Sequence, residues 1–554
     1  MRRAPLALVL LLALTLGSPA LAQGATPVAT PAAEPVNLAG VAPLPLTGER
    51  RAAFESYIAD AMQRFAVPGA AVAVVQNGAV VYAQGFGVTR SGGSEPVTAD
   101  TLFMIGSVTK SMTSMLAATL VDDGWLSWQT PIVQELPDFA VADPTLTKRL
   151  TVADAFCACT GVPARDADLI FNIYDLTPKR VIAQVADLPL TAPLGERYQY
   201  SNQMYAIGGY AAARAAGADP DHLNADYEAA LRERILNPIG MTRSTFALDD
   251  VLASGDYALP HAQNLEGETR PFPLLVDENF VSSVTPAGGL WSSARDMARY
   301  LQTELADGVA PDGTRVVSVE SLAQTWQPRV AVPVTPGLPP VVTEGFQHYG
   351  MGWIVGAYHG QPLISHSGGT FGFASEVAFL PEANLGIVIL SNGGAGGAPA
   401  LFGIQYHLFS LLFDQPAEVD AFLDQAVPAR DEQLAALRAM LRPVDPAAVT
   451  PYLGRYTNPA LGEVVLRLQD GTLILDSGEI RSELRAVVGE DGQIEGYIFV
   501  DPPLNRPDVP VFLQEGAEGG PELSVTVPDD DPTIPPVTYV FTAATSSASA
   551  TPVP

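Results

Sequence analysis

Two periods of apolar spacing alternate along this chain. A helical pattern runs from Glu49 to Phe65 and gives way to an apolar run, Ala70 to Gln76, that predicts a strand. Asn77-Gly78 and a second apolar run, Ala79 to Tyr82, follow. Asn-Gly between apolar runs predicts a β-hairpin, because both residues accept the positive φ of a tight turn. Strand patterns return far downstream at Ala374 to Leu380 and Leu385 to Leu390, joined by Pro381-Glu382-Ala383-Asn384, and a helical stretch covers Ala400 to Leu412. The middle is mostly helical and irregular. The simplest architecture for residues 47–415 is an α/β (α+β) domain: an antiparallel sheet built from both chain ends, flanked by helices, with a helical insertion. A site would lie where the sheet meets the helical part.

Residues 416–447 read as a linker with one helix, Asp431 to Leu441. From Tyr452 onward the pattern becomes short alternating strands. Val464 to Leu468, Asp470-Gly471 and Thr472 to Leu475 make a second hairpin, and strands follow at Tyr497 to Val500, Val511 to Leu513 and Val537 to Phe541. This predicts a small C-terminal all-β domain, a sandwich or lipocalin-like barrel, over 448–543, with a disordered tail at 544–554. Residues 23–46 are rich in Pro, Ala and Thr and read as a flexible linker.

The N-terminus changes the expected address. Met1-Arg2-Arg3, the apolar run Ala4 to Leu16 and Ala20-Leu21-Ala22 have the order of a secretory signal peptide over 1–22. No later segment has 18 uninterrupted apolar residues, so the expectation is a secreted protein, extracellular or periplasmic, with no transmembrane anchor after cleavage. Among 554 residues, 47% are hydrophobic and 16% charged, which excludes a disordered chain. Thirty basic residues face 60 acidic ones, and a net charge of −30 argues against nucleic acid and anionic lipid as partners. Cys157 and Cys159 are separated by Ala158 alone. A disulfide across one residue is strained, so two small buried thiols are expected. Asp529-Asp530-Asp531 reads as a solvated acidic loop rather than a calcium site.

Lys110, Lys148 and Lys179 are the only lysines; every other basic side chain is Arg. A lysine kept in such a chain suits a task that needs an amine able to lose its proton. Lys110 closes Ser107-Val108-Thr109-Lys110, ahead of a helical pattern from Ser111 to Val121. Ser and Lys at i, i+3 share a helix face, and a neutral amine there can take the hydroxyl proton. Tyr200-Ser201-Asn202 follows a turn at Pro193-Leu194-Gly195 and precedes a helix from Gln203 to Ala215. A phenol beside an ammonium can act as acid or base, and an amide can hold a substrate carbonyl. His366-Ser367-Gly368-Gly369 precedes the strand at Ala374; on an edge strand, such a run lets a substrate backbone pair alongside.

The three motifs, in this order, resemble the serine β-lactamase and penicillin-binding-peptidase superfamily: class C β-lactamases, D-alanyl-D-alanine carboxypeptidases and related esterases, of peptidase S12 type. Phe103-Met104-Ile105-Gly106 before Ser107, Asn237-Pro238-Ile239-Gly240-Met241, Ala287-Gly288-Gly289-Leu290, Phe371-Gly372-Phe373 and Leu390-Ser391-Asn392 extend the resemblance over about 47–415. It implies Ser107 as the acylated nucleophile and Lys110 as its activator, with Tyr200 coupled to Lys110 and protonating the leaving group. Asn202, His366, Ser367 and Gly368 would bind substrate, and the backbone N–H groups of Ser107 and Gly369 would form the oxyanion hole. It implies no metal and no organic cofactor, and a small-molecule or peptide substrate; the oligomeric state stays open. Many class C β-lactamases have Lys where this chain has His366. A mostly neutral imidazole holds a carboxylate less firmly, which shifts the expectation from efficient β-lactam hydrolysis toward a D-amino-acid peptide, a peptidoglycan stem or a small ester. Specificity is expected in Val162 to Asp175 and Val330 to Gln347, which carry no readable code. The alternative is a catalytically weak, penicillin-binding-like recognition protein. No G-x-S-x-G and no metal-ligand spacing of His occurs, which disfavours an α/β-hydrolase and a metallohydrolase.

Overall fold

The computed structural model describes residues 36–544 apart from 174, 175, 334, 479, 490, 517, 518 and 529–533. The expected signal peptide, part of the expected linker, the acidic triplet and nearly all of the expected tail lie outside the described residues. The apolar runs found at both chain ends meet in one antiparallel sheet of β1 (Gly69–Gln76), β2 (Ala79–Gly87), β3 (Ile354–Tyr358), β4 (Gln361–Gly369), β5 (Ala374–Leu380) and β6 (Leu385–Ser391). Their spatial order is β2-β1-β6-β5-β4-β3, continued by the two-residue strands His348–Tyr349 and Val330–Ala331. β1 pairs with β6 from Ala70 opposite Ser391 to Gln76 opposite Leu385, which closes the two chain ends on each other. Asn77 and Gly78 take φ of 53° and 73°, the tight hairpin turn that the dipeptide predicts.

Both faces of the central strands β1, β5 and β6 are covered, which is why these three are buried along their whole length. Ala71, Ala73, Val75, Val377, Phe379 and Val388 point into one core with α2 (Thr109–Asp122) and α4 (Asn202–Ala215). Ala70, Val72, Val74, Ala378, Ile387 and Ile389 point into the other, against α1 (Gly48–Arg64) and α6 (Gly394–Phe413). Two short helices matter later: α3 (Asp166–Ile170) and α5 (Leu274–Ser282). The helix expected from Asp431 starts much earlier, as α7 (Glu418–Met440). Pro428 lies inside it and disguises the period, while Val419 and Leu423 bury its first half on the α6 side of the core.

The C-terminal strands are β7 (Gly454–Asn458), β8 (Gly462–Gln469), β9 (Thr472–Asp476), β10 (Arg481–Val488), β11 (Ile494–Phe499), β12 (Val511–Glu515), β13 (Pro521–Val527) and β14 (Val537–Ala543). They run β10-β9-β8-β7-β14-β13-β12-β11, and β11 pairs back onto β10. The unit is therefore a closed eight-stranded antiparallel barrel, which leaves no open sheet edge. Its core holds Leu466, Leu473, Phe499, Leu523 and Phe541, and also Ala167, Phe171 and Ile173 from α3 and the turns after it. A piece of the first domain thus packs into the barrel.

Candidate active site

Ser107 sits on a single 3-10 turn, Gly106–Val108, that leads directly into α2. Gly106 has φ of 51°, and a Cβ on it would lie 2.7 Å from Gly369 N. Only glycine fits where the last residues of β4 cross this turn. A Cβ on Gly368 would likewise collide with the Ile105 carbonyl, to which Ser375 Oγ donates at 2.7 Å. Ser107 is the one partly exposed residue of the turn.

One helical turn further on, Lys110 is 0% exposed. Its Nζ donates to Ser107 Oγ at 3.0 Å, Asn202 Oδ1 at 2.8 Å and Ala287 O at 2.7 Å. An ammonium fills all three acceptors, whereas a neutral amine fills two and keeps a lone pair. Burial brings the Lys110 amine down to about 7, against the opposing pull of the Asp166 carboxylate. The Tyr200 O–H donates to Ser107 Oγ at 2.9 Å, and its ring centre lies 4.8 Å from Lys110 Nζ. Ser201 explains why Tyr200 and Asn202 arrive together: its Oγ caps α4 by accepting from Met204 N, which fixes the residue on each side of it. Asn202 is engaged at both ends of its amide. Oδ1 accepts from Lys110, and Nδ2 lies 3.2 Å from each oxygen of Asp166.

His366 is buried, with Nε2 3.0 Å from the Tyr349 hydroxyl and Nδ1 2.6 Å from the Ser367 carbonyl. Burial first, and the Lys110 charge second, push its imidazole down to about 3. The ring is neutral throughout the range in which Lys110 titrates. Ser367 pairs opposite Glu376, on the strand face away from His366, and its side chain is exposed. β3 pairs with β4 only as far as Ser365, so β4 is an inner strand along most of its length and an edge at residues 366–369. The sequence expected an edge there; the structure confines it to that last stretch.

One expectation is corrected. Cys157 and Cys159 are not thiols but a disulfide, with Cα atoms 5.2 Å apart. Ala158 takes φ of 52°, and this left-handed residue brings the two side chains to the same side despite the short loop. The pair packs with Tyr198, Tyr200 and Tyr349, and Ala158 O accepts from Gln199 N, so it buttresses the segment leading to Tyr200.

Ser107, Lys110, Tyr200 and Asn202 come together as one hydrogen-bonded cluster, and His366 and Gly369 flank it. The sequence reading missed three residues. Asp166, the first residue of α3, reaches Asn202 from a segment flagged only for specificity. Tyr349 meets His366. Asp277 on α5 accepts from Phe371 N at 2.8 Å, Thr370 Oγ1 at 2.9 Å and Gly372 N at 3.2 Å, and so anchors the loop that follows Gly369. None of the three lies in a motif.

The Beta-lactamase family model matches residues 54–409. Penicillin-binding protein 4 of Amycolatopsis lactamdurans is 30% identical over 390 residues, 70% of this chain and 93% of that protein. An unguisins hydrolase of Aspergillus campestris is 28% identical over 435 residues, 74% of this chain and 77% of that protein. Among solved structures, the octameric penicillin-binding protein homologue from Pyrococcus abyssi superposes with a TM-score of 0.58 at 23% identity, over 89% of this chain and 99% of that one, a likeness of fold. No helix among the described residues is long and apolar enough to cross a membrane.

Proposed function

Because the chain belongs to the β-lactamase family, we propose that it is a secreted serine hydrolase that works through an acyl-enzyme on Ser107. One observation carries the reading: Ser107 Oγ is hydrogen-bonded both by Lys110 Nζ at 3.0 Å and by Tyr200 O–H at 2.9 Å, with Lys110 wholly buried. In the neutral form, the Lys110 amine accepts the Ser107 proton as Oγ attacks the acyl carbon. The carbonyl oxygen takes up negative charge against the backbone N–H groups of Ser107 and Gly369. On collapse, Tyr200 gives a proton to the leaving amine or alkoxide and recovers one from Lys110. Water then attacks the ester carbonyl, giving up a proton to the Lys110–Tyr200 pair, which passes it to Ser107 Oγ as the acid departs.

The charges around this centre bear on the choice of substrate. His366 stands where many class C β-lactamases have Lys, and burial keeps its imidazole neutral, which supports a weaker hold on a substrate carboxylate than a cation would give. The substrates proposed are therefore D-amino-acid peptides, peptidoglycan stems or small esters, with β-lactams turned over poorly. The substrate backbone pairs along residues 366–369, and Asn202 faces the acyl side. The test is intact mass after incubation with a fluorophosphonate, alongside Ser107→Ala. A single adduct on the parent protein and none on the variant is expected. A folded parent protein that takes no adduct would turn the reading toward a recognition protein with the same fold.

A further inference from the structure

Asp166 is the acidic residue behind the Ser107–Lys110–Asn202 cluster, and its surroundings come from two domains. Both its oxygens lie 3.2 Å from Asn202 Nδ2, whose Oδ1 accepts from Lys110. An amide caught between an ammonium and a carboxylate has one stable orientation, because turning it over would set its N–H groups against the ammonium and its oxygen against the carboxylate. α3, which begins at Asp166, is held by the C-terminal barrel. Ala167 and Phe171 sit in the barrel core, Tyr539 O–H donates to Asp168 Oδ1 at 3.0 Å, and Asn172 Nδ2 donates to Ala460 O at 2.9 Å.

We propose that Asp166 is a positioning residue of the acyl-transfer site, clamped by the C-terminal barrel, which locks the Asn202 amide with its oxygen on Lys110. The inference rests on the acyl-enzyme reading given above. It makes the barrel part of the site. The titratable and charged groups facing Asp166 are Lys110 on α2, Asp168 on its own helix, and Arg506 and Tyr539 of the barrel, with Arg506 itself ion-paired to Asp508 at 2.8 Å. Those facing Lys110 are Asp166, His366 and the rings of Tyr200 and Tyr205. Burial raises the Asp166 carboxyl above its ordinary value, opposed by the Asn202 N–H, the Lys110 ammonium and, least, the Arg506 guanidinium; the Asp166 carboxylate in turn favours the ammonium form of Lys110.

The experiment is the rate of Ser107 acylation by a fluorophosphonate as a function of pH, in the full-length protein. Asp166→Asn keeps an acceptor for Asn202 Nδ2 and removes the charge. Its acid limb is expected to move down by about half to one pH unit, the size of a screened charge interaction through one intervening amide. Asp166→Ala removes the acceptor as well, and its plateau rate is expected to fall about tenfold below that of Asp166→Asn. Arg506→Gln should move the limb the same way by a smaller amount, and should move nothing when Asp166→Asn is already present. A limb that stays in place in Asp166→Asn while Ser107 still reacts, or an Arg506→Gln shift that persists without Asp166, would overturn the inference. If Ser107 does not react in the parent protein, it is the acyl-enzyme reading that fails first.

Discussion

Burial, acting on Lys110 and His366, does most to determine what the site can do. Both lose their affinity for a proton on leaving water, but they end in different places. Lys110 comes to about 7, where it can both take and give a proton, and His366 to about 3, where it stays a neutral partner of Tyr349. The neutral amine fraction grows as pH rises through about 7, so Ser107 reactivity should rise over that interval, with no second inflection from His366. Lys110→Arg keeps a cation and removes the group that can deprotonate. The acylation rate is expected to fall by about two to four orders of magnitude, the usual worth of a positioned base, with the far-ultraviolet circular dichroism unchanged. A fall of less than threefold would show that Lys110 is not the base. Lys110 was legible in the sequence because the chain otherwise uses Arg. Asp166 and Tyr349 were not, because each meets its partner only after folding: Asp166 is 36 residues from Asn202, and nothing near either marks the pair.

Among the elements, the two hairpins marked by Asn-Gly and Asp-Gly were legible, while the hairpin of β3 and β4 and the supports of the site were not. Asn77-Gly78 and Asp470-Gly471 both take positive φ at each residue, so a dipeptide alone set two turns. The disulfide ran against expectation because the outcome depended on the φ of Ala158, which no side chain announces. α5 has no motif either, yet Asp277 holds the loop 370–372 by three hydrogen bonds from a buried position, where desolvation raises its carboxyl to about 7. Asp277→Ala leaves those donors without that partner. It should lower the stability to urea by about 1–3 kcal/mol, the cost of unsatisfied buried polar groups, and slow Ser107 acylation, since Gly369 begins this loop. Unchanged stability in the variant would mean that the loop holds itself.

Across the whole molecule, buried acids give a pH dependence opposite to that of ordinary surface carboxylates. Asp168 is raised to about 6, Asp277 and Glu278 to about 7, and Glu304 and Glu376 to about 8, each chiefly by burial. A group whose pKa is raised on folding binds more protons in the folded state, so its contribution is complete below the unfolded pKa and is lost as pH rises through the folded one. Lys110 and His366 work in the other direction but are outnumbered. Calorimetry should therefore give a higher Tm at pH 5.5 than at pH 8.5, a trend that the net charge of −30 reinforces. A Tm that rises over this range would show that these acids are ionised in the folded protein. By itself, the sequence determined whatever is local: the apolar runs that become β1, β5 and β6, the two hairpin turns, and the three short motifs in which Ser107, Lys110, Tyr200, Asn202 and His366 stand at fixed offsets. Only the tertiary structure decided the closure of the barrel, its grip on α3, and the placing of Asp166 behind Asn202 and Asp277 behind the Gly369 loop. Turns and helix faces are set by neighbours along the chain, whereas a buried charge is set by whatever the fold brings against it.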